Sequence, residues 1–122
     1  MGRALAQIAE DMKSRKDPRV CHLQEFSTDP DWMRGVCADP AVLFVTFPDE
    51  QGWKIQAVPP TPGSFAQRQP LPEAWGGLAQ AELAALTGVA DVIFCHPGRF
   101  IMGVKSWRGR DALLAQILGG AR

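Results

Sequence analysis

A chain of 122 residues fits a single domain, 1–122, and is long enough to bury a core. Thirteen basic residues offset thirteen acidic ones to a formal net charge of zero, which excludes a global electrostatic drive toward nucleic acid and makes any anion site local. At 46% hydrophobic and 21% charged the composition is that of a soluble globular protein, and no apolar run approaches the roughly 20 residues of a membrane span.

Residues 2–16 read as a first helix. Leu5, Ile8, Ala9 and Met12 share one face and Glu10 and Asp11 the other, and Asp17-Pro18 stops the helix after a basic last turn of Lys13, Arg15 and Lys16. Residues 20–23 read as a short strand. The stretch 25–40, broken by Asp29-Pro30 and Asp39-Pro40, mixes turns with a helical piece around Trp32.

A hairpin follows. It joins the β-branched run 42–47, a loop at Pro48-Asp49-Glu50-Gln51-Gly52, and an alternating strand 53–58. Trp53, Ile55 and Ala57 lie on one face of that strand, and Lys54, Gln56 and Val58 on the other. Residues 59–77 hold five prolines and cannot extend a ladder, but Phe65, Leu71 and Trp75 spaced through them predict a loop pinned to the core. A helix at 80–87 ends at Gly88, 91–95 is a buried strand, and 100–104 returns beside it. Ser106 caps a last helix carrying Leu113, Leu114, Ile117 and Leu118, closed by Gly119-Gly120. The expected class is α+β: a small mixed or antiparallel sheet with a central hairpin and helices packed at both termini.

An odd number of cysteines, Cys21, Cys37 and Cys95, gives no disulfide framework, and Arg3 is followed by no apolar leader; both point to the cytoplasm. Cys21-His22 and Cys95-His96 lack CxxC or HxxxH spacing, so no structural zinc is expected.

The stretch 53–106 carries the functional signal. A strand ending in His96, a return strand containing Gly103, and Lys105-Ser106 opening a helix would aim backbone N–H groups, a helix N-terminus and a cation at one spot. That combination suits a phosphate or carboxylate. His96 reads either as a ligand contact or as a hydrogen-bonded core residue. Lys105 and Ser106 read as an anion site or a plain helix start, and Arg68 as a ligand contact or a pin that binds a carboxylate such as Glu73. The four tryptophans fill core and loop contacts or offer a base-stacking platform.

At these residues the chain resembles the C-terminal part of the melanocyte-proliferating-gene-one family, metal-dependent nucleases of the wider DHH phosphoesterase superfamily. Trp53, Gln56, Val58 and Pro59 match its first block. Phe65, Arg68, Pro70, Leu71, Pro72, Glu73, Trp75, Gly77 and Leu78 match its second. Glu82, Leu83 and Gly88 match the following helix, Phe94 and His96 the next strand, and Phe100, Ile101, Gly103, Lys105 and Ser106 the last block. The likeness covers residues 41–115. Two departures stand out. Met102 replaces the first glycine of the family's pair, which restricts how closely a backbone approaches a phosphate, and Val104 follows where the family is polar. The family's metal-gathering His and Asp clusters have no counterpart, since His22 and His96 are the chain's two histidines.

The resemblance therefore implies a stand-alone copy of the substrate-binding half: a non-catalytic binding domain for a phosphate-bearing ligand, either a nucleotide or single-stranded nucleic acid. It carries over a ligand-binding role to His96, Arg99, Gly103, Lys105 and Ser106, with Arg68 as an outlying contact. No cofactor, metal or membrane is expected. The expected partners are that ligand, a separate catalytic phosphoesterase and a second copy of the chain in a homodimer. Two other classes stay open: a small metal-dependent hydrolase using His96, and a structural or oligomerisation module whose site has decayed.

Overall fold

The computed structural model describes residues 19–23, 32–61, 64 and 66–119. The helix expected at 2–16 and the side chain of Phe65 lie outside them. The described residues form five strands and three α-helices in an α+β arrangement. The strands are β1 (Val20–His22), β2 (Phe44–Asp49), β3 (Gly52–Ala57), β4 (Val92–Cys95) and β5 (Ile101–Val104). The helices are α1 (Trp32–Cys37), α2 (Gln80–Thr87) and α3 (Trp107–Leu118).

The central hairpin is tighter than its sequence suggests. β2 and β3 pair from Phe44↔Ala57 to Asp49↔Gly52, which leaves Glu50 and Gln51 as the connection. Pro48 joins the ladder because it lies beyond Thr46, the last residue of β2 that pairs with β1, where a missing N–H costs no bond to that strand. Asp49 organises the turn: its Oδ1 accepts the N–H groups of Gln51 (3.0 Å) and Gly52 (3.1 Å), and its Oδ2 accepts from Lys54 Nζ. Lys54 also donates to Gln51 Oε1 at 3.0 Å. Gly52 has φ 138°, and a Cβ there would stand 2.5 Å from the carbonyl oxygens of Val104 and Lys105, so only glycine fits.

The sheet runs β1-β2-β3-β5-β4, with β1 parallel to β2 and every other pair antiparallel. Both faces are covered. On one, Phe44, Ile55, Ala57, Met102 and Val104 pack with Leu83 of α2 and with Leu113, Leu114 and Ile117 of α3. On the other, Cys21, Val45 and Phe47 meet Leu23, Val36, Val42 and Val58. The outer edge of β4 is occupied by the proline-rich segment: Cys95 N–H donates to Leu78 O and Gly77 N–H to Cys95 O, both at 2.9 Å. Further along, Arg68 N–H bonds Val58 O and Leu71 N–H bonds Arg99 O, with Leu71 and Trp75 buried. The segment is a pinned loop that protects a sheet edge, as its apolar spacing predicts.

Gly88 ends α2 in the left-handed conformation, φ 75°. Ser106 caps α3 with its hydroxyl accepting Gly109 N–H at 3.0 Å. No helix among the described residues is long and apolar enough to cross a membrane.

Leu114→Ala should cost about 2–5 kcal/mol, the usual range for a large-to-small change in a packed core, read as a shift in the urea midpoint at unchanged slope. A second outcome concerns acid. Burial pushes the Asp49 carboxyl up, but the hydrogen bonds from Lys54, Gln51 and Gly52 and the Lys54 charge outweigh it and hold the group below its ordinary 3.8. Because the folded value is the lower one, Asp49 contributes stability above that ordinary pH and loses it as pH falls through the folded value. Asp49→Asn should therefore flatten the acid limb of the stability profile below about pH 4, measured by denaturant titration across pH.

Candidate functional site

The turn from β4 to β5 is built around His96. Its N–H donates to Ile101 O (3.0 Å), its carbonyl accepts Arg99 N–H (2.8 Å), and its Nδ1 accepts Gly98 N–H (2.9 Å). Arg99 takes φ 57°, an unusual conformation for a residue with a Cβ. With Nδ1 engaged as an acceptor, the neutral imidazole carries its proton on Nε2. The exposed ring then offers Nε2–H as its donor. It leans on Phe100, centroids 4.6 Å apart and planes tilted by 55°. The Arg99 stem lies over Gly76, where an added Cβ would meet Arg99 Cγ at 3.0 Å. Its guanidinium makes no hydrogen bond or ion pair with another described residue. Burial pushes the neighbouring Cys95 thiol up to about 11 against the opposing charge of Arg99, so the thiol is inert at neutral pH.

Lys105 and Ser106 lie at the other end of this hairpin. Lys105 N–H bonds Asp91 O at 3.0 Å, while His96 N–H bonds Ile101 O. The four steps from Ile101 to Lys105 span about 13 Å of extended chain. The expected convergence of His96 with Lys105 and Ser106 on one pocket is not what the structure shows: a hairpin long enough to pair across the sheet holds its turn and its open end apart. Nor is the start of α3 an open anion cradle. The Ser106 hydroxyl takes the Gly109 N–H, and Asp91 Oδ1 lies 2.6 Å from where a Cβ on Gly109 would be, so a carboxylate already sits beside that turn.

Gly103 lies between the two ends, under the Phe94 ring, whose Cε1 would stand 3.0 Å from an added Cβ. It makes room for an aromatic side chain, over which Lys54 Nζ sits 5.8 Å from the ring centroid. Met102 points to the opposite face and is fully buried beside Ile55 in the core. Its side chain is absorbed by packing and does not crowd the Gly103 face.

Arg68 is committed elsewhere. Its guanidinium donates to the carbonyls of Asp39 (2.8 Å), Val42 (2.8 Å) and Cys37 (2.9 Å). This is the pinning role weighed from sequence, but the acceptors are backbone carbonyls rather than Glu73. One planar fork thus closes the end of α1 onto the proline-rich loop.

Cys21-His22 lies on one edge strand and Cys95-His96 at the end of the other, four strand spacings apart, about 19 Å. His22 Nδ1 lies 2.6 Å from Thr46 Oγ1. Among the described residues no three His, Cys, Asp or Glu side chains gather into a group that could hold a metal ion.

Sequence reasoning passed over the residues that follow Ser106. Trp107 is 54% exposed. Arg108 lies over its ring at 5.4 Å, and Arg110 covers the Trp53 ring at 4.5 Å while its Nε bonds Asp111 Oδ1 at 2.9 Å. Lys105 and Arg108 are exposed and have no acidic partner among the described residues. Three cations and an indole within residues 105–110 were a legible signal.

The family model MYG1_exonuc, described as uncharacterised protein family UPF0160, matches residues 6–118. The chain is 41% identical over 76 residues to the human MYG1 exonuclease, covering 62% of this chain and 20% of that protein. It is 40% identical over 77 residues to the MYG1 protein of Dictyostelium discoideum, 62% of this chain and 23% of that one. The MYG1 protein of Chlamydia trachomatis is 41% identical over 76 residues, 62% of this chain and 26% of that one. The chain thus spans about a fifth to a quarter of the length of these curated relatives. No solved structure matches it significantly.

Arg68→Lys should destabilise the fold by about 2 kcal/mol in chemical denaturation, since an ammonium cannot serve three carbonyls in a fork and partly buried acceptors are left unpaired. Unchanged stability with weakened ligand binding would reassign the residue to a ligand contact.

Proposed function

This chain belongs to the uncharacterised protein family UPF0160, and from that premise we propose that it is a non-catalytic domain that holds a phosphate-bearing ligand, a nucleotide or single-stranded nucleic acid, for a nuclease. The observation that carries the reading is the pair of exposed cations, Lys105 and Arg108, left without an acidic partner among the described residues in a chain of zero net charge. Unpaired cations on an otherwise balanced surface attract an anion locally, and phosphate offers the oxygens that both side chains bind.

Family membership supplies the nucleic-acid context, since the human relative is named an exonuclease. The chain aligns with a fifth of that relative, and it lacks the carboxylate and imidazole clusters that a DHH-type phosphoesterase uses to gather metal. In this reading cleavage belongs to a separate catalytic phosphoesterase or region, and this domain is its substrate-binding half, acting in the cytoplasm. His96 Nε2–H and Arg99 supply a second contact at the far end of the β4–β5 hairpin. One phosphate cannot touch both ends, so those two residues serve a longer ligand or a different part of it.

Lys105→Glu should weaken binding of thymidine monophosphate and of an oligothymidylate. For the oligonucleotide it should also lower the slope of log affinity against log salt by about one, as expected when one phosphate contact is removed. Melting temperature should stay near that of the parent, because Lys105 is exposed. Fluorescence anisotropy over a salt series measures both quantities, and unchanged affinity with an unchanged slope would refute the reading.

A further inference from the structure

Given that phosphate contact at Lys105 and Arg108, we infer that Trp107 is a stacking site for an unpaired nucleobase, with Arg108 as the second wall of the site. Trp53 is partly buried under Arg110, and Trp75 is buried in the core. Trp107 differs from both: more than half of its surface is in water, on the first turn of a helix anchored by Leu113, Leu114 and Ile117. A tryptophan left outside a core forgoes the largest apolar burial that any side chain offers. The Arg108 guanidinium 5.4 Å from the ring covers one side of it and sets its orientation, while the remaining surface stays open.

The surroundings select the occupant. Lys105, Ser106, Arg108, Arg110 and Asp111 are the indole's neighbours along the chain, Arg108 lies over its ring, and Asp91 lies beside Gly109. An apolar protein surface would meet charge on every side. A nucleobase needs one flat apolar face, and its phosphate needs a cation within reach, which is what Trp107 beside Lys105 and Arg108 offers. Asp111 is bonded to Arg110, and neither Lys105 nor Arg108 makes an ion pair with a described residue, although the Asp91 carboxylate lies nearby beside Gly109. Stacking is tolerant of base identity, so the site distinguishes a strand that carries bases from a bare sugar-phosphate backbone.

The test compares a labelled oligothymidylate with an abasic strand of the same length. The unaltered chain should bind the base-bearing strand about tenfold more tightly. Trp107→Ala should erase that preference at unchanged melting temperature and unchanged salt slope, and Trp107→Phe should keep most of it. Trp107→Ala retaining the tenfold preference would overturn the stacking site, and if Lys105→Glu still weakened both strands the phosphate contact would survive that loss. Lys105→Glu without effect on either strand would instead remove the phosphate contact on which the stacking site depends. Loss of base preference in Trp107→Phe as well as Trp107→Ala, together with a lowered melting temperature in both, would show that the indole packs the α3 start rather than meeting a base.

Discussion

Gly52 lies so close to the carbonyls of Val104 and Lys105 that no side chain fits between them, and that contact locks the β2–β3 hairpin against the end of β5. Once it is made, the register Trp53↔Val104, Lys54↔Gly103, Ile55↔Met102 follows residue by residue. The alternation of a strand then decides everything on β5: Met102 and Val104 turn into the core and Gly103 turns under Phe94. A slip of one residue would put Met102 where Gly103 now leaves room for a ring. The same contact fixes where the chain leaves the sheet, and so where Lys105, Ser106 and α3 begin.

The division of labour among the cations follows from burial. Lys54 and Arg68 are drawn in, one tied to Asp49 and Gln51, the other to three carbonyls. Arg110 is spent on Trp53 and Asp111, clamping α3 to the sheet. Among the described residues Arg99, Lys105 and Arg108 are left over, one at the turn of the β4–β5 hairpin and two past its open end. Among the described residues the inward cations hold the fold, and Lys105 and Arg108 face solvent.

Much of the fold was readable from local pattern. The alternation through residues 53–58, the helix stop at Gly88 and the serine cap at Ser106 each rest on interactions within a few residues, and each stands in the structure. The site was less readable because its logic is long-range. Arg68 reaches carbonyls 26 to 31 positions away, which no spacing rule foresees. Gly103 reads as a phosphate-approach glycine until the neighbouring strand supplies Phe94. The separation of His96 from Lys105 could have been derived from strand length alone, since a hairpin's two ends cannot share a pocket. The glycine pair in the resemblance drew attention to the strand, and the indole immediately after it was absorbed into a count of tryptophans.

The buried thiols have a practical side. Cys21 and Cys95 are enclosed, Cys95 is held protonated well above neutral pH, and burial likewise pushes the Cys37 thiol up against the opposing charge of Arg68. Enclosure keeps Cys21 and Cys95 from an alkylating dye, while Cys37 is only partly buried. With Cys37 alone replaced, a single cysteine engineered on the exposed first turn of α3 would take a fluorophore or spin label while Cys21 and Cys95 stay enclosed in the core.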